Sequence, residues 1–172
     1  MLRTILLILA AAAAPALAQV APPAGIAPQL RVGANEVPAF ALRAEGTHVY
    51  ECRAVPGGYA WTFLNPDATL YDGTRSVGIH AAPNLWESSS DRSSVSGRVR
   101  ATQPAGAENL PWALLGGDAN AGSGLFAGVT SIQRVNTSGG VAPTGGCTDT
   151  SVGTEARVAF RADYYFYKRR AT

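Results

Sequence analysis

The sequence has few of the residues from which catalytic and metal sites are usually built. Its 172 residues include two histidines, two cysteines and one methionine. Neither cysteine belongs to a Cys-x-x-Cys motif, and two cysteines alone cannot complete a zinc site. The serine-rich stretch 88–96 lacks the Gly-x-Ser-x-Gly elbow that presents a nucleophilic serine. We therefore expect no metal and no cofactor, and no catalytic residue can be assigned with an established motif.

Clustered positive charge is also scarce. The formal net charge is +2, and Lys168-Arg169-Arg170 forms the only basic run. Nucleic-acid-binding proteins carry Lys and Arg concentrated on one face or along one element. A short basic run near a chain end is more typical of a solvated tail. The composition therefore argues against a nucleic-acid partner.

Only the N-terminus contains a long apolar run. Arg3 precedes a stretch of Ile, Leu and Ala, and Ala16-Leu17-Ala18 matches the small-x-small pattern of a signal-peptidase site. The run is shorter than the roughly 20 residues that a membrane-spanning helix needs. We predict a signal peptide over residues 1–18, a secreted or periplasmic location, and no membrane span after cleavage.

Export gives the two cysteines a structural meaning. Cys52 and Cys147 are separated by 147 − 52 = 95 residues. A cysteine pair in an oxidising compartment predicts a disulfide. Closing a loop of that length stabilises the folded state by about 4 kcal/mol in the chain-entropy treatment.

No window beyond the N-terminus shows a helical period, whereas two-residue alternation recurs. In 156–167, Val158, Phe160, Ala162, Tyr164 and Phe166 share one face. The stretch 94–102 alternates similarly, and Gly- or Pro-containing turns separate the short apolar runs. This predicts an all-β, single-domain antiparallel sandwich or barrel over 39–172, held by one disulfide and preceded by a flexible Ala/Pro-rich leader over 19–38.

The glycine-rich segment 122–128, GSGLFAG, invites comparison with a dinucleotide-binding loop. Its third glycine comes one residue late for Gly-x-Gly-x-x-Gly. A strand-like sequence follows it, whereas a pyrophosphate site requires a helix N-terminus there. We interpret the segment as a hairpin loop.

The stretch 78–87, GIHAAPNLWE, is the part of the chain with the greatest density of chemically versatile side chains. His80, Glu87 and nearby Asp91 are weak catalytic candidates, because an imidazole and two carboxylates can perform acid–base chemistry. The alternative is a strand that runs into a kinked loop, with His80 bonded locally and the carboxylates in solvent. We favour the alternative. If the loop binds a ligand, Trp86, with His80, is the expected contact residue.

Other large or charged residues are assigned structural roles. Trp61, Trp86 and Trp112 could stack on a flat ligand, but tryptophans in β domains more often fill the core. Arg134 follows Gln133 in a strand-like run and precedes the glycine-rich loop that carries Cys147. Because guanidinium has five donors in a rigid fork, we expect Arg134 to bind carbonyls of that loop. Gln133 and Trp112 are interpreted as structural too.

Several motifs together resemble those of a secreted family of bacteria and fungi catalogued as domain of unknown function 3455. They are spread over most of the predicted mature chain: Val49-Tyr50-Glu51-Cys52, Gly78-x-His80, Trp86-Glu87, Pro111-Trp112-x-Leu114-Leu115, the long segment 129–147 VTSIQRVNTSGGVAPTGGC, and Ala162-Asp163-Tyr164-Tyr165-Phe166-Tyr167. The resemblance implies no established activity.

The chain departs from the family pattern H-x-A-G-P-x-W-E, followed by D-G-S, within one stretch. Pro83 and Asn84 stand where the pattern has glycine and proline, and Arg92 replaces the glycine after Asp91. The interval from tryptophan to aspartate is also one residue longer. Precise catalytic geometry is hard to reconcile with such changes.

Three functional hypotheses follow. The first is an exported, non-catalytic protein that binds a small molecule, a glycan or a surface partner. The second is an extracellular hydrolase that acts on a polymer through Glu87, Asp91 and His80. The third is a structural component of the cell envelope.

Overall fold

The computed structural model describes residues 20–81 and 84–171, which form one closed barrel of eight antiparallel strands. Each strand pairs with the next along the chain, and β8 pairs with β1 to close the sheet. The strands are β1 (Glu36–Val55), β2 (Gly58–Asp72), β3 (Arg75–Ala81), β4 (Leu85–Ser88), β5 (Ser94–Gln103), β6 (Trp112–Ala121), β7 (Val129–Gly139) and β8 (Glu155–Arg169). Two short 3-10 turns cover Pro28–Leu30 and Asp149–Ser151. The all-β prediction is confirmed, and of the two architectures left open the chain adopts the barrel.

The strands turn one face inward because apolar residues alternate along them. In β8, Phe160, Ala162, Tyr164 and Phe166 are buried in the core, as the alternation predicted. Tyr167 belongs to the outward set but is also buried. The core is therefore the filled interior of the barrel, with additional packing on one part of its outside.

That outside packing comes from the segment that precedes β1. Leu30 is fully buried, and its carbonyl accepts a hydrogen bond from Gln133 Nε2 at 2.5 Å. Tyr167 in turn donates its hydroxyl to Gln133 Oε1. The end of the predicted leader thus docks on the barrel, and β1 begins at Glu36, three residues before the predicted domain start. The predicted signal peptide, residues 1–18, lies outside the described residues.

Connections alternate between the two ends of the barrel. We call the lower end the one formed by the connections 73–74, 89–93 and 122–128. The upper end is formed by 56–57, the turn at Asn84, 104–111 and 140–154. The disulfide between Cys52 and Cys147 is present, as predicted, and joins β1 to the last upper connection.

The lower end is closed by an aromatic plug. Phe126, in the connection from β6 to β7, is fully buried. Its ring lies edge-on to Phe166 at 5.1 Å and to Phe40 at 5.7 Å, while Phe40 stacks on Phe166 at 4.7 Å. The segment 122–128 is a hairpin connection, as expected, and it also supplies a core residue.

Candidate functional site

The upper end contains a cavity of about 290 Å³, which we call the upper cavity. Side chains from strands β1, β2, β3, β5 and β7 and from two upper connections form its wall. The lining residues are His48, Tyr50, Phe63, Pro66, His80, Asn84, Val99, Leu110 and Arg134. The period of two in β1 places His48 and Tyr50 on the face that carries Leu42 and Ala44 lower in the barrel. Polar residues therefore occupy the upper part of a face that is apolar below.

His48 is held between two phenylalanines. Its ring centroid lies 4.7 Å from that of Phe63 and 4.5 Å from that of Phe160, and the residue is 5% exposed. Burial, reinforced by the positive charge of Arg134, lowers the pKa of His48 to about 3. The imidazole is therefore neutral at pH 7. Its Nδ1 is buried and has no hydrogen-bond partner among residues 20–81 and 84–171.

His80 is held by a local bond and an aromatic stack. Its Nδ1 lies 2.9 Å from the carbonyl oxygen of Leu85, which can only accept, so we assign the proton to Nδ1. The ring stacks on Trp86 at 4.5 Å with an interplanar angle of 5°. Burial lowers the pKa of His80 to about 3, although the bond to Leu85 opposes this effect. The neutral ring therefore presents Nε2 as an acceptor.

Arg134 supplies the positive charge of the upper cavity. It shares the inward face of β7 with Ile132, because the residue between them, Gln133, bonds on the outside of the barrel. Its Nε and Nη2 donate to the carbonyl of Pro111 at 3.1 and 2.9 Å. The bonded carbonyl thus belongs to the connection between β5 and β6, and not to the Cys147 loop that the sequence suggested. In the described chain no carboxylate forms an ion pair with Arg134.

Four buried side-chain polar atoms have no hydrogen-bond partner by distance and angle among the described residues: those of His48, Trp86 and Tyr164, and Arg43 Nε. Tyr164 lies opposite Arg134 in the register of β7 and β8, and its ring is edge-on to His80 at 5.2 Å. Burial raises the pKa of Tyr164, and the nearby guanidinium opposes this shift. Within the described residues, the Trp86 indole nitrogen and His48 Nδ1 lack a hydrogen-bond partner, and the Tyr164 hydroxyl has none except the neighbouring Arg134 guanidinium. Native proteins leave few buried polar groups unpaired, so such a group of them requires an explanation.

Hydrogen bonds hold the rim of the upper cavity. Tyr50 donates its hydroxyl to the carbonyl of Gly140 at 2.6 Å, and Thr137 donates to the carbonyl of Leu110 at 2.5 Å. Trp61 donates its indole N–H to the carbonyl of Gly145 at 2.8 Å. The bonds of Tyr50 and Trp61, together with the disulfide, fasten the connection 140–154 to the barrel, whereas the bond of Thr137 fastens the connection 104–111. Two lining residues, Tyr50 and Leu110, are thus held in place by hydrogen bonds within the chain.

The three weak catalytic candidates do not form one group. Trp86 faces His80 in the register of β3 and β4, which places the next residue, Glu87, on the outer face. There Glu87 forms an ion pair with Arg92 at 2.7 Å. Asp91 lies at the lower end, where its carboxylate accepts from the N–H groups of Ser93 and Leu125 at 2.8 and 3.0 Å. His80, Glu87 and Asp91 are close in sequence, but their side chains do not meet in one site.

Asp91 instead organises the plug. Ser93 Oγ accepts a bond from the N–H of Phe126 at 3.0 Å, next to the bond from Leu125 to Asp91. A Cβ on Gly124 would clash with the Asp91 carboxylate, and the φ of +150° at this position favours glycine. Asp91 therefore positions the connection that carries Phe126.

Trp86, the expected ligand contact, is fully buried in the core. It stacks on His80, its cross-strand neighbour, and is absent from the lining of the upper cavity. Gln133 links the N-terminal segment to β8, as a structural residue would. Trp112 is half-buried on the outer face and lies opposite Gln103, which accepts a bond from the Ala27 N–H.

The departures from the family pattern coincide with unusual backbone. Asn84 has a φ of +55° and Arg92 has a φ of +58°. A proline at 84 could not adopt that φ, whereas a glycine at 92 would adopt it without strain. The turn that borders the upper cavity at Asn84 therefore differs from one with proline at this position.

A larger recess of about 800 Å³ lies on the outside of the barrel beside Arg100, Arg169 and Arg170. Glu36 lies among these arginines and accepts a hydrogen bond from Thr130. None of the unpartnered buried side-chain atoms found in the described residues belongs to its lining. The upper cavity, though smaller, therefore has the stronger chemical character of a binding site.

Sequence reasoning identified His80 but missed His48 and Tyr50, and it gave Arg134 a purely structural role. The available signal was their placement on the inward face of otherwise apolar strands. In the part of the chain that the structure describes, no group of three or more His, Cys, Asp or Glu residues could hold a metal ion. That part also contains no helix long and apolar enough to cross a membrane.

Comparison with known proteins gives a family but no activity. A family model described as "Protein of unknown function (DUF3455)" matches residues 33–168, which include all eight strands apart from Arg169, the last residue of β8. No curated protein and no solved structure matches the chain.

Proposed function

We propose that this chain, which belongs to the DUF3455 family of proteins of unknown function, is an exported, non-catalytic binding protein that holds a small molecule in its upper cavity. The observation that carries the proposal is a cavity whose lining combines His48, with a buried Nδ1 that lacks a hydrogen-bond partner in the described residues, and Arg134, which has no carboxylate counter-ion there. Ligand sites are typically concave and largely preformed, with a few polar groups set among apolar ones.

Export is supported by the signal-like N-terminus and by the disulfide. Disulfides persist in oxidising compartments and are rare in the reducing cytosol. The bond between Cys52 and Cys147 fastens the connection 140–154, and Gly140 of that connection accepts a hydrogen bond from Tyr50 of the cavity lining. A location in the periplasm or outside the cell would therefore preserve the cavity wall.

A binding role accounts for the site better than acid–base catalysis does. Both histidines have a pKa of about 3, far from the range in which a general base works efficiently at neutral pH. Glu87 and Asp91 lie on the outer face and at the lower end. The hydrolase hypothesis therefore lacks an assembled group of residues in the described chain.

Blocking the cavity tests the proposal. Val99 lines the upper cavity and Ile79 lies on the outer face of β3, and both are 44% exposed. The Val99→Trp variant should lose the rise in melting temperature that a ligand from a panel of small molecules and glycans produces, because the indole occupies the cavity. The matched Ile79→Trp variant should keep that rise.

Two results would contradict the proposal. Ligand binding that is unchanged in Val99→Trp would place the site elsewhere. Turnover of a glycan, ester or peptide by the wild type that disappears in a folded His80→Ala variant would identify an enzyme.

A further inference from the structure

The charge of Arg134 is not balanced in the way that the other arginines are. Eight of them form ion pairs with carboxylates, at 2.6 to 3.9 Å. Arg31, Arg169 and Arg170 have no such pair within the described residues, but all three are exposed to solvent. Arg134 is half-buried in the upper cavity. Partial burial of an unpaired cation is costly, and an anion beside it would reduce that cost.

No other ionised side chain competes for this role in the cavity. The lining contains no aspartate or glutamate, and both lining histidines are neutral at pH 7. Arg134 therefore gives the cavity a single positive charge. A ligand with one negative charge would neutralise it, whereas a dianion would bring a net negative charge into the same space.

The geometry of the guanidinium favours a planar anion. Its Nε and Nη2 donate to the Pro111 carbonyl, which leaves the N–H groups on the other side of the planar guanidinium for a ligand and for the neighbouring Tyr164 hydroxyl. Charge-assisted bonds from guanidinium to carboxylate are short and about twice as strong as neutral ones. His80 Nε2 and His48 can add neutral polar contacts to the rest of the ligand.

The remaining lining is apolar. Phe63, Pro66, Val99 and Leu110 complete the wall, and Phe63 lies edge-on to Tyr50 at 5.7 Å. The cavity volume of about 290 Å³ is near the lower end of the range for small-molecule sites. Its size and composition fit a compact apolar body, such as one ring or a short alkyl chain.

We infer that the ligand of the upper cavity is a small monocarboxylic acid with an apolar body, whose carboxylate pairs with Arg134. This inference rests on the proposed function, because it assumes that the upper cavity is a binding site. Arg134 is then a specificity-determining residue as well as an anchor for the connection between β5 and β6.

The experiment compares acids with neutral molecules of nearly the same shape. Benzoate, phenylacetate and hexanoate, each beside its primary amide, are titrated into the full mature protein by calorimetry at pH 7. At least one acid should bind about 10- to 100-fold more tightly than its amide, as expected for a hydrogen-bonded charge pair. The Arg134→Gln variant should lose that preference while its affinity for the amide stays within about threefold.

A second variant protects the test against loss of folding. Val99→Asp places a carboxylate at the exposed edge of the cavity, where charge repulsion should weaken binding of the acid much more than loss of the apolar contact weakens binding of its amide. Ile79→Asp adds the same charge on the outer face and should change neither affinity.

The possible results distinguish failure of the carboxylate inference from failure of the proposed function. Equal affinity for acids and amides, with binding lost in Val99→Trp, would overturn the carboxylate inference and leave the proposed function in place. Tighter binding of phenyl phosphate than of every acid would overturn it in favour of a phosphate ligand. The carboxylate inference and the proposed function would both be overturned if none of the acids or amides binds and a ligand from the panel binds wild type and Val99→Trp equally well.

Discussion

The two ends of the barrel are filled in opposite ways. At the lower end, Phe126 closes the interior by packing on Phe40 and Phe166, and hydrogen bonds to Asp91 hold its connection in place. At the upper end, His48 and Arg134 border an open cavity. The same alternating strand pattern produces both ends. Inward-facing residues therefore either fill the barrel or leave a cavity in it, depending on their polarity and on the connection that covers that end.

The largest expected difference between the ends concerns their aromatic residues. Phe126→Ala should reduce the free energy of unfolding by about 3–5 kcal/mol, because a fully buried ring leaves a cavity. Phe63→Ala removes the same group from the upper end, where the residue is 40% exposed, and should cost only about 1 kcal/mol. Urea unfolding measures both. Equal losses of unfolding free energy would mean that Phe63 is packed as tightly as Phe126.

Mild acid should affect the upper end first. The folded pKa of His48 and of His80 is about 3, whereas an unfolded histidine titrates near 6.5. Between these values the unfolded chain binds protons that the folded chain does not, so the free energy of unfolding falls as the pH decreases from about 6.5 to about 3. His48→Phe should make this decline shallower in urea titrations between pH 7.5 and pH 4. Identical slopes in the two proteins would contradict the assignment.

Arg134→Lys tests the anchoring role of the guanidinium. Lysine keeps the charge but cannot reproduce the two donors to Pro111, so the melting temperature of the ligand-free protein should fall by about 3 °C, equivalent to about 1 kcal/mol. Arg157→Lys is the control, since Arg157 pairs with Asp67 on the exposed outer surface. A fall of the same size in the control would remove the special role of Arg134.

More strongly acidic conditions should destabilise the lower end. Hydrogen bonds from Ser93 and from the Leu125 N–H lower the pKa of Asp91 to about 2. Because this folded pKa lies below the unfolded value near 3.9, the stabilisation is present above about pH 4 and is lost as the pH falls toward 2. Asp91→Asn should lower the melting temperature at pH 6 and reduce the further loss between pH 4 and pH 2. Asp72→Asn, in an exposed pair with Arg75, should leave the melting curve nearly unchanged at pH 6.

The smallest expected effect is at Arg92, whose φ of +58° favours glycine. Arg92→Gly relieves the backbone but loses the exposed ion pair with Glu87 and makes the unfolded chain more flexible, so its net effect should be within about 0.5 kcal/mol. Arg92→Ala loses the ion pair and keeps the unfavourable φ. The glycine variant should therefore be more stable than the alanine variant by about 1 kcal/mol in urea unfolding.

Much of the fold could be predicted because strand alternation is local information. The inward set Phe160, Ala162, Tyr164 and Phe166 follows directly from a period of two. Closure of the barrel did not follow, because a sandwich strand and a barrel strand have the same alternation. Burial of Tyr167 also escaped prediction, since it depends on a contact with Gln133 from another strand.

The site was harder to predict because its residues come from distant strands. His48 and Arg134 are 86 residues apart in sequence (134 − 48), and only barrel closure brings them to one cavity. His80 and Glu87 give the opposite case. They are close in sequence but on opposite faces of the sheet, because strand register places Trp86 opposite His80. Sequence proximity therefore favoured a cluster that the pairing of β3 and β4 separates.

The seam where β8 meets β1 has a consequence for how the chain folds. This longest pairing joins segments from opposite ends of the chain, with Glu36 opposite Arg169 and Glu51 opposite Glu155. Such distant pairings form slowly, because the chain loses much conformational freedom before they contribute any stability. Cys147 lies just before β8, and Cys52 lies in β1 beside the start of the seam. Once oxidised, the pair keeps the two edge strands close together even in an unfolded chain, so the disulfide acts as a guide for barrel closure as well as a fastening of the finished barrel.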